Sequence, residues 1–471
     1  MLSLPREPRL SASDHLSNLD QFGSRQYIYP AEVSGRFRDL RNRVYAVLLI
    51  VFLALPWIKI NGLQAVMIDI PNRRFELFGM LFLAHDTPLL FFLLALAVLA
   101  IALSTAVWGR IWCGWACPQT VFIDAVYRRI EIWIEGDYIA RRKLAKDPMS
   151  FYKFRIYATK WFAYFVVSSL FAHSFIAYFT GSDNLLQMIR HNPNENWSYF
   201  VIVTFVTALL LFDFGWFREQ FCIIMCPYGR FQSVLMDNQS LVVGYNANRG
   251  EPRKSSSVAK EQWGDCVSCN RCVQVCPTGI DIRNGLQMEC VACTACIDAC
   301  DEIMAKVNKP KGLISYQGNL NLKESFLRPR VMAYSLLMLL LASLFTYNLI
   351  TREPFHITVL RAKDTPYQVL PEGQVLNHFK AHLMNQSRQE VEFTISLPQE
   401  ASVQGLALTQ AQATHRLKSG ETKEVHFFIV FPKSLLSSKG EASINVQFSD
   451  SQSGLIELRK VNGVGPYSAG S

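Results

Sequence analysis

Eight cysteines fall within the 35 residues from Cys266 to Cys300, in the run GDCVSCNRCVQVCPTGIDIRNGLQMECVACTACIDACD. They repeat Cys-x2-Cys-x2-Cys-x3-Cys twice, and Pro277 follows the fourth cysteine of the first copy. This is the ligand spacing for a pair of [4Fe–4S] clusters. Steps of two residues let three sulfurs of one tight loop cap three corners of a cube, and the fourth ligand comes from the other copy. On that rule Cys266, Cys269, Cys272 and Cys300 hold one cluster, and Cys290, Cys293, Cys296 and Cys276 hold the other. Thiolate tetrads also bind zinc, but zinc ribbons separate two pairs by a longer gap, whereas here four cysteines recur in close order twice. The second copy has Asp301 where the first has its proline.

A chain of 471 residues has room for about three domains. Half of its residues are apolar, yet its net charge is +9, so apolar and basic stretches must be segregated. All 12 cysteines lie between Cys113 and Cys300, a distribution that fits a reducing compartment and not a secreted disulfide scaffold. The lysines and arginines gather beside apolar runs. That makes their excess a topological signal, with no nucleic acid implied as a partner.

Five runs have the length to cross a bilayer: Val44–Ile60, Leu89–Val107, Trp161–Thr180, Trp197–Phe217 and Val331–Ile350. The first carries Lys59, placed to snorkel, and the fourth carries Asp213. Residues 1–43 are polar, with seven arginines, and read as a poorly ordered cytoplasmic arm without a cleavable signal. Lys and Arg number seven before the first run, ten in 109–160 and fourteen in 218–330, against two in 61–88 and one in 181–196. The positive-inside rule therefore puts the amino terminus and the ferredoxin insert in the cytoplasm and the carboxyl-terminal region outside.

After Ile350 the runs FHITVL, EVEFTISL, EVHFFIVF, SINVQF and LIELRKV alternate with turn-formers at Pro371-Glu372-Gly373, Lys418-Ser419-Gly420 and Ser438-Lys439-Gly440. They predict a small β-sandwich without the cysteine pair of antibody domains.

The other four cysteines form an internal repeat. The second run ends in WGRIWCGWACPQTVFIDAVYRRI and the fourth in WFREQFCIIMCPYGRFQSVLMD. Each gives an arginine, then Cys-x3-Cys-Pro, then an amphipathic stretch, with one extra residue between arginine and cysteine in the second copy. Cysteines four apart share a helix face, and proline suits the first turn of the next helix. If the second and fourth spans are neighbours, Cys113, Cys117, Cys222 and Cys226 come together as one thiolate site, kept ionised by Arg110 and Arg218. Copper(I), an iron–sulfur centre and zinc all accept thiolates, and a redox dithiol or simple packing are the other readings. His173 lies inside a run with no facing histidine in another run, only His85 or His191 in loops, and reads as a packing residue and not a haem ligand. His378, His382 and Met384 are candidates for exported copper, weighed against a solvated strand. No Gly-x-Gly-x-x-Gly turn or Walker loop is present, which calls for an external electron donor.

Five spans, paired Cys-x3-Cys-Pro motifs, CPTGIDIRNGLQMECVACTACIDAC and a β-rich carboxyl-terminal region together resemble the cytochrome c oxidase accessory proteins of the CcoG/FixG/RdxA type over nearly the whole chain. The resemblance implies a multi-pass protein of the bacterial inner membrane. It divides into an arm (1–43), a transmembrane core (44–230), a two-cluster ferredoxin-like domain (231–330), a last span (331–350) and an immunoglobulin-like periplasmic β-sandwich (351–471). It further implies two [4Fe–4S] clusters and reduction of Cu(II) to Cu(I), with the four border cysteines catalytic, in assembly of a cbb-type oxidase. Copper chaperones or oxidase assembly factors, and membrane lipid, are the expected partners. The membrane core is also similar to quinol-dehydrogenase subunits of periplasmic nitrate reduction. A quinol-linked relay and a non-redox assembly scaffold are therefore the rival functions.

Overall fold

The computed structural model describes residues 27–466 except 83–85, 238, 255–259, 319–321, 353–354, 363–364, 371–372, 388, 400–404, 411, 419, 451–453 and 455. The amino-terminal 26 residues of the expected arm, His85, Pro371-Glu372, Ser419 and the last five residues lie outside the described residues. The chain forms two compact units, Met1–Thr346 and Tyr347–Ser471.

Among the described residues five helices are long and apolar enough to cross a membrane: Arg36–Trp57, Pro88–Trp108, Phe151–Thr180 and Trp197–Phe217 in the first unit, and Pro329–Ile350, which runs across the unit boundary. The first departs from its sequence boundaries at both ends. Its α-helical part is Arg36–Ala54, so the last residues of the expected arm are already helical. The helix start has Gly35 and no local side-chain cap. Asp298 of the ferredoxin region supplies one instead, accepting from the backbone N–H groups of Phe37 (3.2 Å) and Arg38 (2.7 Å). Residues just before it are also ordered by tertiary contact: Ala31 N donates to Gln274 O at 2.8 Å, and Arg271 to Glu32 O at 2.7 Å. At the far end a tight turn over Leu55–Trp57 stops the helix, and Lys59–Ile60 pairs as a strand with Leu63–Gln64. Lys59 then meets Asp183 at 2.6 Å.

The third helix begins ten residues before its apolar run, where Ser150 accepts from Lys153 N. The loop between the first two spans holds an antiparallel sheet of Val66–Asp69, Arg74–Leu77 and Met80–Phe82 that packs on this third helix. The fourth span is α-helical over Trp197–Leu210 and widens to a π-turn over Leu211–Phe217, where Asp213 accepts from Gln119 at 3.0 Å. The cysteine-rich loops are closed off by the strand pair Val242–Tyr245 and Ile314–Gln317.

The second unit is a β-sandwich. One sheet orders its strands Ala407–Gln410, Thr422–Pro432, Gln374–Asn385 and Phe355–Arg361, with Gln368–Val369 also on Gln374–Asn385. The other orders Thr414–Leu417, Val391–Ser396, Glu441–Asp450 and Ile456–Val464. Alternate residues, among them Phe379, Phe393, Phe427, Phe431 and Phe448, fill the space between. The long strand Gln374–Asn385 is missing from the sequence reading because Asn377 and Asn385 break its apolar alternation. Both are buried, and Asn377 pairs with Val464 as a backbone mimic, donating to its O (2.8 Å) and accepting from its N (2.7 Å).

Candidate functional site

The two cysteine loops have the same backbone. Ser268 (φ 56°) and Asn270 (φ 55°) flank Cys269, and Ala292 (φ 51°) and Thr294 (φ 60°) flank Cys293. A left-handed residue on each side of the middle cysteine curls the loop so that three sulfurs face inward. The third cysteine of each copy then enters a helix, Arg271–Gln274 or Ala295–Lys306. The second helix is long enough to carry Cys300 back to the first loop.

Cys266, Cys269, Cys272 and Cys300 line one cavity, beside Tyr245 and Met304. Cys276, Cys290, Cys293 and Cys296 line the other, and Cys272 reaches its wall as well. Burial pushes the Cys272 thiol up to about 11 and those of Cys290 and Cys300 to about 12, and it raises Cys276 and Cys296 too. Buried thiols of this kind ionise only when a cation joins them, as iron does. Backbone N–H groups of Thr278 and Ile280 face Cys276, and that of Ala292 faces Cys290, ready to stabilise coordinated sulfur. The residues fit two [4Fe–4S] clusters, one in each cavity. Cys269 is the exposed member of the set, which turns the first quartet toward solvent.

The second quartet faces the membrane core. Gly114, inside the first Cys-x3-Cys motif, lies against the Ala292 carbonyl so closely that a Cβ there would overlap it. Arg110 donates to the carbonyls of Met288 and Cys290. Arg41, 2% exposed, donates to Gly114 O (3.1 Å) and Cys293 O, tying both loops to the first helix. A cleft of about 330 Å³ has both Cys222 and Cys293 in its wall, with Arg38, Asp124 and Arg128.

The border cysteines are brought together, by a different route from the one their spacing suggests. The fourth span packs chiefly on the third. The meeting is made after the spans, where helix Pro227–Leu235 lies along Thr87–Trp108 and Tyr228 bonds Thr105 at 2.5 Å. From that helix Gln232 donates to Cys113 Sγ at 3.1 Å. Cys113 and Cys222 sit in helical turns, whereas Cys117 and Cys226 are extended residues just ahead of their prolines.

The repeat also aligns differently. Gly109 (φ 58°, ψ −125°) and Arg218 (φ 53°, ψ −126°) end their spans with one backbone conformation. Each stands four residues before its first cysteine. Gly109 therefore matches Arg218, Arg110 matches Glu219, and there is no inserted residue.

The expected ionising role holds for Arg110 in direction only. It lowers the Cys113 thiol while bonded to the loop carbonyls, but burial outweighs it. Arg218 is committed to Glu131 (2.7 Å) and Tyr164 (2.8 Å). Burial dominates instead. It pushes the Cys113 thiol up to about 11 and raises Cys117 and Cys222, the last with Cys117, Glu219, Cys113 and Cys226 adding to the effect. Among the described residues no three His, Cys, Asp or Glu side chains converge tightly enough for a single metal ion.

Sequence reasoning passed over the charges that hold this region. Asp124 accepts from Arg38, Arg41 (3.0 Å) and Arg128 (3.0 Å), and Arg128 also meets Glu219. Glu131 accepts from Arg218 and, at 3.4 Å, Arg141. The available signal was two carboxylates one heptad apart in a basic amphipathic segment. His173 bonds the Ser169 carbonyl at 2.7 Å within its own helix, and His191 meets Glu195 at 3.0 Å.

Five apolar spans, two thiol quartets and a β-sandwich define a membrane iron–sulfur electron-transfer protein. Family models match in the same three places: a 4Fe-4S binding domain over residues 89–145, a 4Fe-4S dicluster domain over 217–319, and the IG-like fold at the C-terminal of FixG over 345–466. The chain is 33% identical to RdxB of Cereibacter sphaeroides over 89% of its length and 92% of that protein. It is 33% identical to RdxA of the same organism (81% and 84%) and 32% identical to the nitrogen fixation protein FixG of Rhizobium meliloti (83% and 83%). The chain belongs to the FixG/RdxA family.

Proposed function

We propose that this protein is a cupric reductase of the bacterial inner membrane, supplying Cu(I) for assembly of a cbb-type cytochrome c oxidase. The observation that carries the reading is the seating of the Cys113–Cys117 loop on the Cys290–Cys296 loop, Gly114 against Ala292. It joins a thiol site with no nucleotide or flavin motif to a residue set fit for one-electron centres. When bound, the two [4Fe–4S] clusters supply one-electron storage, held by Cys266, Cys269, Cys272 and Cys300 and by Cys276, Cys290, Cys293 and Cys296.

The chain's own part is to arrange access at both ends. Cys269 reaches the surface where an external donor docks. Arg41 and Arg110 clamp the second quartet's carbonyls against the border loop. Cys113, Cys117, Cys222 and Cys226 receive Cu(II) as substrate. Soft thiolates favour Cu(I) over Cu(II), so they raise the ion's potential as they bind it. One electron converts Cu(II) to Cu(I) with no bond broken in the protein, and copper chaperones or oxidase assembly factors take the product.

The test is anaerobic purification with iron and sulfide analysis, followed by a copper(II) reduction assay. The double variant Cys113→Ser/Cys226→Ser is expected to lose reduction while keeping about eight iron atoms per chain. Unchanged reduction with intact clusters would place the copper site elsewhere.

A further inference from the structure

The outward face of one β-sandwich sheet carries a histidine pair that the reductase reading does not use. On Gln374–Asn385 the buried residues Phe379 and Ala381 alternate with His378, Lys380 and His382. Across from these three stand Phe428, His426 and Glu424 of Thr422–Pro432. His378 and His426 are diagonal neighbours, and their Nε2 and Nδ1 atoms are 2.9 Å apart. His426 Nε2 is 3.1 Å from Glu424 Oε1, which also accepts from Lys380 at 2.5 Å. The His378 ring stacks on Phe428 with centroids 4.5 Å apart.

We propose that His378 Nε2 and His426 Nδ1 form a Cu(II) site on the carboxyl-terminal unit, oriented by Glu424. The carboxylate needs a proton on His426 Nε2, which leaves Nδ1 as the unprotonated ring nitrogen on the side of His378. A carboxylate behind a histidine is the usual outer support of a metal-bound imidazole. The bite of a two-nitrogen site depends on the angle its metal prefers. Two nitrogens at about 2.05 Å from an ion stand about 2.9 Å apart at a right angle and about 3.3 Å apart at a tetrahedral angle. The 2.9 Å spacing, which the hydrogen bond between the rings already sets, matches a right-angle bite without rearrangement, and imidazole ligands in tetragonal geometry favour Cu(II).

The Phe428 stack fixes one ring and the Glu424 bond the other, so little ordering remains for binding. His382 is not part of the pair. It lies 3.6 Å from the other oxygen of Glu424 and four residues along the strand from His378. Among the described residues two nitrogens are in place, and water completes the coordination. The site belongs to the carboxyl-terminal unit and the border thiols to the other, and neither proposal needs the other.

The test is electron paramagnetic resonance of full-length, oxidised protein titrated anaerobically with Cu(II) past the capacity of its thiols. Cu(I) held by thiolate is silent, so the spectrum reports the Cu(II) sites alone. The expected spectrum shows hyperfine splitting from two nitrogens in one copper per chain. His378→Ala and His426→Ala each abolish the two-nitrogen pattern, His382→Ala keeps it, and Glu424→Gln weakens binding about tenfold. Thermal unfolding of each variant checks the sandwich, and Cu(II) bound at this site raises the midpoint in the parent and in His382→Ala but adds nothing in His378→Ala or His426→Ala. A parent without the two-nitrogen pattern, or a pattern that persists in both histidine variants, overturns the proposal and leaves an ordinary hydrogen-bonded pair.

Discussion

Gly114 shows how much one missing side chain decides. It separates Cys113 from Cys117 by sequence and touches Ala292 in space, so it serves both thiol sets at once. Gly114→Ala must push the two loops apart, because a carbonyl of a tightly turned loop cannot withdraw without moving Cys290 or Cys293. The variant is expected to lose about half of its roughly eight iron atoms, those of the second quartet, with the first retained. Iron and sulfide analysis after anaerobic preparation decides it, and full iron content would mean that the contact is not needed. Arg218 is the complementary case. Its left-handed backbone is unusual for a residue with a side chain, and Glu131, Tyr164 and the Gly215 carbonyl hold it there.

Among the elements, the segment after the first Cys-Pro joins the amino-terminal helix to the core through buried carboxylates. Burial alone would raise Glu131, but Arg218 above all, and then Lys160 and Arg141, bring its carboxyl down to about 2. Asp124 is held low in the same way, chiefly by Arg38, Arg41 and Arg128. A carboxyl lower in the folded state stabilises fully above its unfolded value, and that contribution is lost as pH falls through the folded value. For Glu131 the window runs from about 4.5, the ordinary glutamate value, down to about 2. Acid unfolding followed by tryptophan fluorescence is expected to be less steep over that window in Glu131→Gln. Truncation to alanine strands two buried guanidinium groups and is expected to cost about 3–5 kcal/mol. A Glu131→Ala protein as stable as the parent would remove the network from the stability argument.

For the molecule as a whole, charge sets the expected arrangement across the membrane. The lysine and arginine counts motivate an arrangement with the thiol sets inside and the β-sandwich outside. A reporter active only in the cytoplasm is expected to work when fused after Tyr152 or Lys311 and to fail after Asn192 or Ser471. Activity at Ser471 would overturn the five-span arrangement. It would also put the histidine pair in the compartment of the iron–sulfur centres, and so change where its copper comes from.

Sequence by itself determined what is periodic or closely spaced. The two copies of Cys-x2-Cys-x2-Cys-x3-Cys, the apolar runs and the alternating strands are each written within a few tens of residues, where local geometry decides the outcome. The family was legible for the same reason, since its motifs are local. Tertiary structure alone decided what depends on distant chain meeting. Asp298 caps a helix about 260 residues away, Gly114 takes its tightness from Ala292, and His426 finds His378 across a strand pair. The register of the membrane repeat differs from the sequence expectation because two arginines look equivalent in sequence. The backbone instead pairs a glycine with Arg218, whose cost is met by a buried Glu131 that no local pattern assigns to it. Packing sets such pairs, and packing is a property of the whole fold.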